Sequence, residues 1–143
     1  MLIGLDPALS PDLLRVLRAM GHGDVIAIVD ANFPAEACAQ RLVRADGLSA
    51  TRMLQAVLSV MPLDHMSAPA AFSMEVVGDP EAIPDAVADF QSVIDTSADT
   101  PSHIGPIERF AFYEKARDAF AILQTGEGRL YGNIMLIKGV VQP

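Results

Sequence analysis

The stretch from Met20 to Glu36, Met-Gly-His-Gly-Asp-Val-Ile-Ala-Ile-Val-Asp-Ala-Asn-Phe-Pro-Ala-Glu, constrains the fold more than any other part of the chain. Val25 to Val29 is an unbroken apolar run between Gly23 on one side and Asn32 and Pro34 on the other, which predicts a short strand covered on both faces. Such a strand needs a layer of structure above it and another below. His22 stands just before it and Asp30 at its end. A strand rises about 3.3 Å per residue, so these two side chains are expected some 20 Å or more apart within one chain. If both serve one site, either the flanking loops bend back or a second subunit supplies one of them.

The elements around this strand alternate in type. Ser10-Pro11-Asp12 has the marks of a helix start: a capping hydroxyl, a proline at the first helical position and an acid in the first turn. Leu13, Leu14, Val16, Leu17 and Met20 then recur at helical spacing, and Gly21 is the expected left-handed cap at the far end. Such a helix end favours a protonated His22 and allows it a purely capping role. Ala35 to Gln40 reads as a short helix, Arg44 to Gly47 as a turn, and Ser49 as the cap of a helix running to Met61 and stopped by Pro62. Ala71 to Val77 reads as a strand, Pro84 opens another helix, and Asp95 to Pro106 reads as a polar connection holding His103. Ile107 to Ala119 is predicted helical; Arg109 and Tyr113, four apart, then share one face. Phe120 to Gln124 and Asn133 to Lys138 are predicted strands joined through Thr125-Gly126-Glu127-Gly128. Apolar strands alternating with amphipathic helices over 143 residues predict a single α/β domain, residues 1–143, with three layers (helix, sheet, helix) around a mostly parallel or mixed sheet.

Composition narrows the chemistry. A net charge of −8, with no basic cluster, argues against nucleic acid and anionic membrane surfaces as partners and leaves a neutral or cationic small ligand. The hydrophobic fraction of 51% and charged fraction of 20% are greasy for a small monomer, so part of the surface is expected to face other subunits. Cys38 is the only cysteine, which fits a reducing compartment; no leader sequence and no apolar run of about 18 residues is evident, so the expected location is the cytoplasm.

Specific motifs are few. His22, His65 and His103 have no short chelating spacing, and no metal site is expected. Gly21-His22-Gly23 precedes the strand, whereas a dinucleotide loop follows one, and no nucleophile elbow is present, so no cofactor is expected. Asp30 is open to a bland reading as a turn cap, Asp64 as a solvated loop acid, Tyr113 and Arg109 as an ordinary helix face, and Tyr131-Gly132-Asn133 as a turn. Taken together they suit proton transfer on a polyhydroxylated neutral ligand: histidine, aspartate and tyrosine exchange protons, while arginine, asparagine and backbone groups orient hydroxyls.

Several separated segments carry a resemblance. Met20 to Asp24, Asp30 to Pro34, Arg44 to Gly47, Arg109 to Ala116, Thr125-Gly126-Glu127 and Tyr131 to Ile134, in that order, resemble the L-fucose mutarotase branch of the ribose pyranase and fucose mutarotase family, from the first helix to the last strand. The resemblance implies a cofactor-independent isomerase that interconverts the α and β anomers of a free sugar such as L-fucose. It implies His22 as the principal acid/base residue, with Tyr113 and Asp64 also catalytic, and Asp30, Arg109, Tyr131, Gly132 and Asn133 as substrate-binding residues. It further implies a ring-shaped homo-oligomer, often a decamer, with sites between subunits. A D-ribose pyranase, a non-catalytic sugar-binding module and a purely structural ring-forming protein are the alternatives. Met66 after His65, and the small run Ala68-Pro69-Ala70-Ala71, depart from the bulkier character expected there and point to an altered pocket wall.

Overall fold

A computed structural model describes residues 1–143, and its six strands form one sheet. The elements in chain order are α1 (Pro11–Ala19), β1 (Val25–Val29), α2 (Ala35–Cys38), β2 (Leu42–Ala45), α3 (Ala50–Leu58), β3 (Ala71–Met74), α4 (Asp85–Ser97), β4 (Ile104–Ile107), α5 (Arg109–Asp118), β5 (Ala121–Thr125) and β6 (Ile134–Ile137). Strand order is β2-β5-β1-β6-β3-β4. β1 runs parallel to β5, β5 to β2, and β3 to β4, while β6 is antiparallel to both β1 and β3.

Alternation along β1 explains the three layers. Ile26 and Ile28 face a large core closed by Leu13, Val16 and Leu17 of α1, Met53, Leu54 and Val57 of α3, and Phe90 and Ile94 of α4. Ala27 and Val29 face a smaller core of Phe33, Ala35, Cys38, Phe112, Ala116 and Met135, closed by α2 and α5. The helix/sheet/helix arrangement expected from the sequence is thus present, with the second layer much thinner than the first.

β6 departs from parallel because the link from β5 holds no crossover helix. That link, residues 126–133, passes over the end of β1, where the Ala31 N–H donates to the Glu127 carbonyl at 2.9 Å. It is anchored by Arg129, which donates to both Glu127 oxygens, to Asp89 of α4 at 2.6 Å and to Thr51 of α3 at 3.0 Å. Gly126 is required here, since a Cβ would collide with the Asp46 carbonyl.

Five expectations need correction. The left-handed glycine after α1 is Gly23 at φ 86, not Gly21; α1 ends on Met20 in an extended conformation. The carbonyls of Leu17 and Met20 are capped by the Lys138 ammonium, at 2.8 and 2.6 Å, so His22 does not serve as the helix cap. Arg44 and Ala45 belong to β2 and not to a turn: this is an edge strand with Arg44 exposed, so it lacks a continuous apolar run. Residues 104–107 form β4 where a polar connection and a helix start were expected. Its Ile-Gly-Pro-Ile sequence has low strand propensity, and its proline is tolerated because β4 is the other edge of the sheet. α3 also stops at Leu58, short of Met61.

Candidate active site

The predicted residues fall into two groups at opposite ends of the sheet. At the carboxyl end of β1, a cavity of about 220 Å³ is lined by Asp30, Asn32, Phe33, Met74, Val77, Arg109, Tyr113, Leu130, Tyr131 and Asn133. At the amino end of β1, His22 pairs with Asp64, Nε2 to Oδ1, at 3.2 Å. The loops do not fold back to join them. Concavities of about 670 and 550 Å³ contain none of the predicted site residues, while one of about 250 Å³ beside the first group shares Arg109 with it.

Asp30 is the fixed centre of the first group. Its backbone N–H donates to Asn133 Oδ1 at 2.8 Å, and Asn133 Nδ2 donates back to Asp30 Oδ2 at 2.9 Å. The Asn32 N–H donates to Oδ1 at 3.0 Å, and the Asp30 carbonyl accepts from Gln124 Nε2 at 2.7 Å. Burial pushes the Asp30 carboxyl above the usual range, against the pull of these donors. The Asn32, Asn133, Phe33 and Gly132 donors all pull on this carboxylate, so Asp30 is a strongly held acceptor at the edge of the cavity. Asn133 commits one donor and its oxygen to Asp30, so its first role is to orient that carboxylate.

The other walls come from α5 and the 126–133 link. The Glu108 carboxylate caps α5 by accepting from the Phe110 and Ala111 N–H groups, and so places Arg109 at the start of the helix. The Arg109 guanidinium carbon lies 5.5 Å from the centre of the Tyr113 ring, as their four-residue spacing predicts. Tyr113 also packs against Phe33, with ring centres 5.4 Å apart. Tyr131 stands at φ 58, a conformation costly for a residue with a side chain, and its hydroxyl accepts from the Val77 N–H at 3.1 Å. A Cβ on Gly132 would fall 2.6 Å from Glu127 Cγ and 3.4 Å from Asp30 Cβ, so only glycine lets the link close over Asp30. The Tyr-Gly-Asn segment is therefore a strained strap across the strand end, not a simple turn.

In the second group, Asp64 is 4% exposed and His22 43% exposed. The Ser67 hydroxyl donates to Asp64 Oδ2 at 2.6 Å and the Met66 N–H to Oδ1 at 3.1 Å. Ser67 foremost holds the Asp64 carboxyl below its ordinary range, with Met66 and His22 adding to the effect against burial. Met66 itself is exposed in this loop, beside the His22–Asp64 pair, and is not among the residues that line the Asp30 cavity of the same chain. His65 and His103 are exposed, and neither hydrogen-bonds to the His22–Asp64 pair or lines the Asp30 cavity. No cluster of three or more histidine, cysteine, aspartate or glutamate side chains could hold a metal ion.

Phe33, Met74, Val77 and Leu130 form the apolar wall that residue chemistry alone does not single out. Gln124 and Ser67 were also missed; Gln124, a polar side chain within an apolar strand, carried a signal, whereas Ser67 carried none.

A largely apolar cavity with a few convergent polar groups, at one end of the strands of a layered sheet, is the form of a small-ligand site in an α/β protein. The chain belongs to the RbsD / FucU transport protein family, which matches residues 3–141. It is 39% identical to the fucose mutarotase of Streptococcus pneumoniae, solved in complex with L-fucose, over 99% of this chain and 100% of that one, with a TM-score of 0.91. FucU from Bifidobacterium longum is 40% identical over 97% of this chain and 99% of its own, with a TM-score of 0.89. RbsD of Bacillus subtilis, complexed with D-ribose, shares the fold at 20% identity and a TM-score of 0.72, over 94% and 95% of the two chains.

Proposed function

We propose that this chain is a sugar mutarotase that interconverts the α and β anomers of L-fucose by acid/base ring opening and reclosure. The observation that carries the proposal is the gathering of Asp30, Arg109, Tyr113, Tyr131 and Asn133 around one cavity in a chain 39% identical, end to end, to a fucose mutarotase. A cavity of about 220 Å³ is smaller than the ~300–1,000 Å³ of drug-sized sites and suits one monosaccharide. Asp30 accepts from sugar hydroxyls, Arg109 donates to them, Asn133 and Gly132 hold Asp30 in place, and the Phe33, Val77 and Leu130 wall faces carbon-bound hydrogens.

The reaction needs a base and an acid. The base takes the proton of the anomeric hydroxyl, O1 becomes a carbonyl oxygen, and the C1–O5 bond breaks with its electron pair on the ring oxygen. The acid protonates that oxygen. Rotation about C1–C2 and the reverse transfers return both protons and close the other anomer. His22, paired with Asp64, serves as the base, and Tyr113 as the acid. Positioned proton transfer of this kind contributes about a hundred- to ten-thousand-fold.

His22 and Asp30 lie at opposite ends of β1, so the proposal requires His22 of one subunit to reach the cavity of another. We therefore place the sites between subunits of a homo-oligomer; the family resemblance implies that it is a ring, a decamer, and the single Cys38 fits the cytoplasm as its compartment. The support is the exposed apolar set beside the cavity, Val77 at 62%, Phe110 at 67% and Leu130 at 72% exposure. No helix is long and apolar enough to cross a membrane.

Saturation-transfer NMR on anomerically equilibrated L-fucose tests the activity. Exchange between the anomeric signals above the rate in buffer is the expected result. An unchanged rate rejects the mutarotase, and tight sugar binding at that unchanged rate identifies a binding module instead.

A further inference from the structure

The His22–Asp64 pair has a third member that the reaction scheme does not use. Asp64 is fixed at its backbone, where its N–H donates to the Ile137 carbonyl at 3.0 Å and Gly139 packs so closely that a Cβ would lie 2.9 Å from Asp64 Cα. The backbone does not by itself set the plane of the carboxylate; its hydrogen-bond partners do. Oδ1 accepts from both the Met66 N–H and His22 Nε2, whereas Oδ2 has one partner, the Ser67 hydroxyl. Partners on one oxygen alone leave the carboxylate plane loose. A partner on each oxygen sets it.

We infer that Ser67 is a positioning residue for His22: its bond to Asp64 Oδ2 orients Oδ1 to accept the His22 Nε2–H, which leaves His22 Nδ1 as the nitrogen that exchanges a proton with the sugar. This rests on the mutarotase reading for the identity of the sugar, but not for the state of the imidazole. An imidazole whose Nε2–H is held by a carboxylate carries its lone pair on Nδ1. The orienting acid stays ionised and fixes the tautomer, the logic by which an aspartate aligns a histidine base in hydrolase triads. Ser67 stabilises the ionised form of Asp64, in keeping with that role.

Other charged groups surround the pair without joining it. Asp24, in the same turn as His22, accepts from the Gly21 N–H. Asp99 accepts from the Leu63 N–H, and Lys138, beyond β6, is committed to the carbonyls of Leu17 and Met20. Arg18 at the end of α1 and exposed His65 beside Asp64 form no hydrogen bond to either member. Ser67 is therefore the one side chain other than His22 that contacts the Asp64 carboxylate by hydrogen bond.

The test uses the full chain with ¹⁵N-labelled histidine, read by magic-angle-spinning NMR at alkaline pH. His65→Gln and His103→Gln variants assign the signals. Wild-type His22 is expected as the Nε2–H tautomer. Ser67→Ala is expected to give a mixture of tautomers and a kcat for fucose anomer exchange lower by about tenfold, the scale of one hydrogen bond to a charged group, with KM unchanged. Ser67→Thr, which keeps the hydroxyl, restores both. A wild-type Nδ1–H tautomer overturns the inference, as does a Ser67→Ala protein with unaltered tautomer and kcat, a change confined to KM, or a loss that Ser67→Thr repeats. The tautomer reads out whether or not fucose is the substrate, so failure of the mutarotase reading is distinguishable from failure of this one.

Discussion

At the scale of single residues, the cavity depends on polar groups that hold one another, and deletion of one strands its neighbour. Asn133→Ala removes the acceptor for the Asp30 N–H and the donor to Oδ2 together. A buried polar group left unpartnered costs about 1–3 kcal/mol, so Asn133→Ala is expected to lower unfolding stability by that order in denaturant titrations, and to weaken L-fucose binding in calorimetry. Asp30 adds a pH dependence of definite sign. Burial raises its folded pKa above the ordinary 3.8, so across that window the native state binds more protons than the unfolded chain, and this group's contribution to stability falls as pH rises. Its acceptor role runs the other way: fucose affinity is expected to drop as pH falls through the raised pKa, because a protonated Asp30 loses acceptor capacity. Calorimetric affinities across pH, compared with the Asp30→Asn protein, check this.

At the scale of elements, the link from β5 to β6 matters more than any helix. It has no regular structure, yet Arg129 ties it to α3 and α4, and Glu127 ties it to the end of β1. Gly126 allows it to pass the Asp46 carbonyl. Gly126→Ala is therefore expected to shift this backbone, lower Tm by several degrees, and reduce sugar binding more than a surface change of equal destabilisation does; thermal melts beside fucose titrations measure both. Helix starts were readable from local chemistry, because a cap is satisfied within a few residues: Ser10 accepts from the Leu13 N–H at 3.2 Å and Ser49 from the Arg52 N–H at 3.2 Å. Edge strands were not readable. β2 and β4 are held by pairing with β5 and β3, partners far away in sequence, and neither has the apolar run that identifies β1.

For the whole molecule, the two expectations concern assembly and acid. If the ring buries Phe110, then Phe110→Asp, an exposed change on α5 that leaves the chain's own core intact, is expected to give a species well below ten times the 15.2 kDa chain mass in light scattering, with loss of anomer exchange. Asp6, Asp64, Glu108 and Glu127 are all held below their ordinary values, foremost by Arg52, Ser67, the Phe110 N–H and Arg129 respectively. Their stabilisation is fully present above the ordinary 3.8 to 4.5 and is lost as pH falls through the lowered values, opposite in sign to Asp30. Thermal melts are expected to be nearly flat around neutrality and to decline steeply in that acid range.

What the sequence determined by itself is what depends on neighbours along the chain: the apolar run of β1, the capped starts of α1 and α3, the shared face of Arg109 and Tyr113, and the layered alternation of strand and helix. Its motifs also named Asp30, Arg109, Tyr113, Tyr131 and Asn133 of the cavity, though not its apolar wall. Only the tertiary structure decided how those residues divide. Tyr131, Gly132 and Asn133 reach Asp30 because the 126–133 link crosses the end of β1, and Ser67 reaches Asp64 because a loop turns back on itself. The distance between His22 and Asp30 was already implied by the rise of the strand, but whether the loops would close it depended on long-range packing. They leave it open, with His22 on Asp64 at one end of β1 and Asp30 on Asn133 at the other.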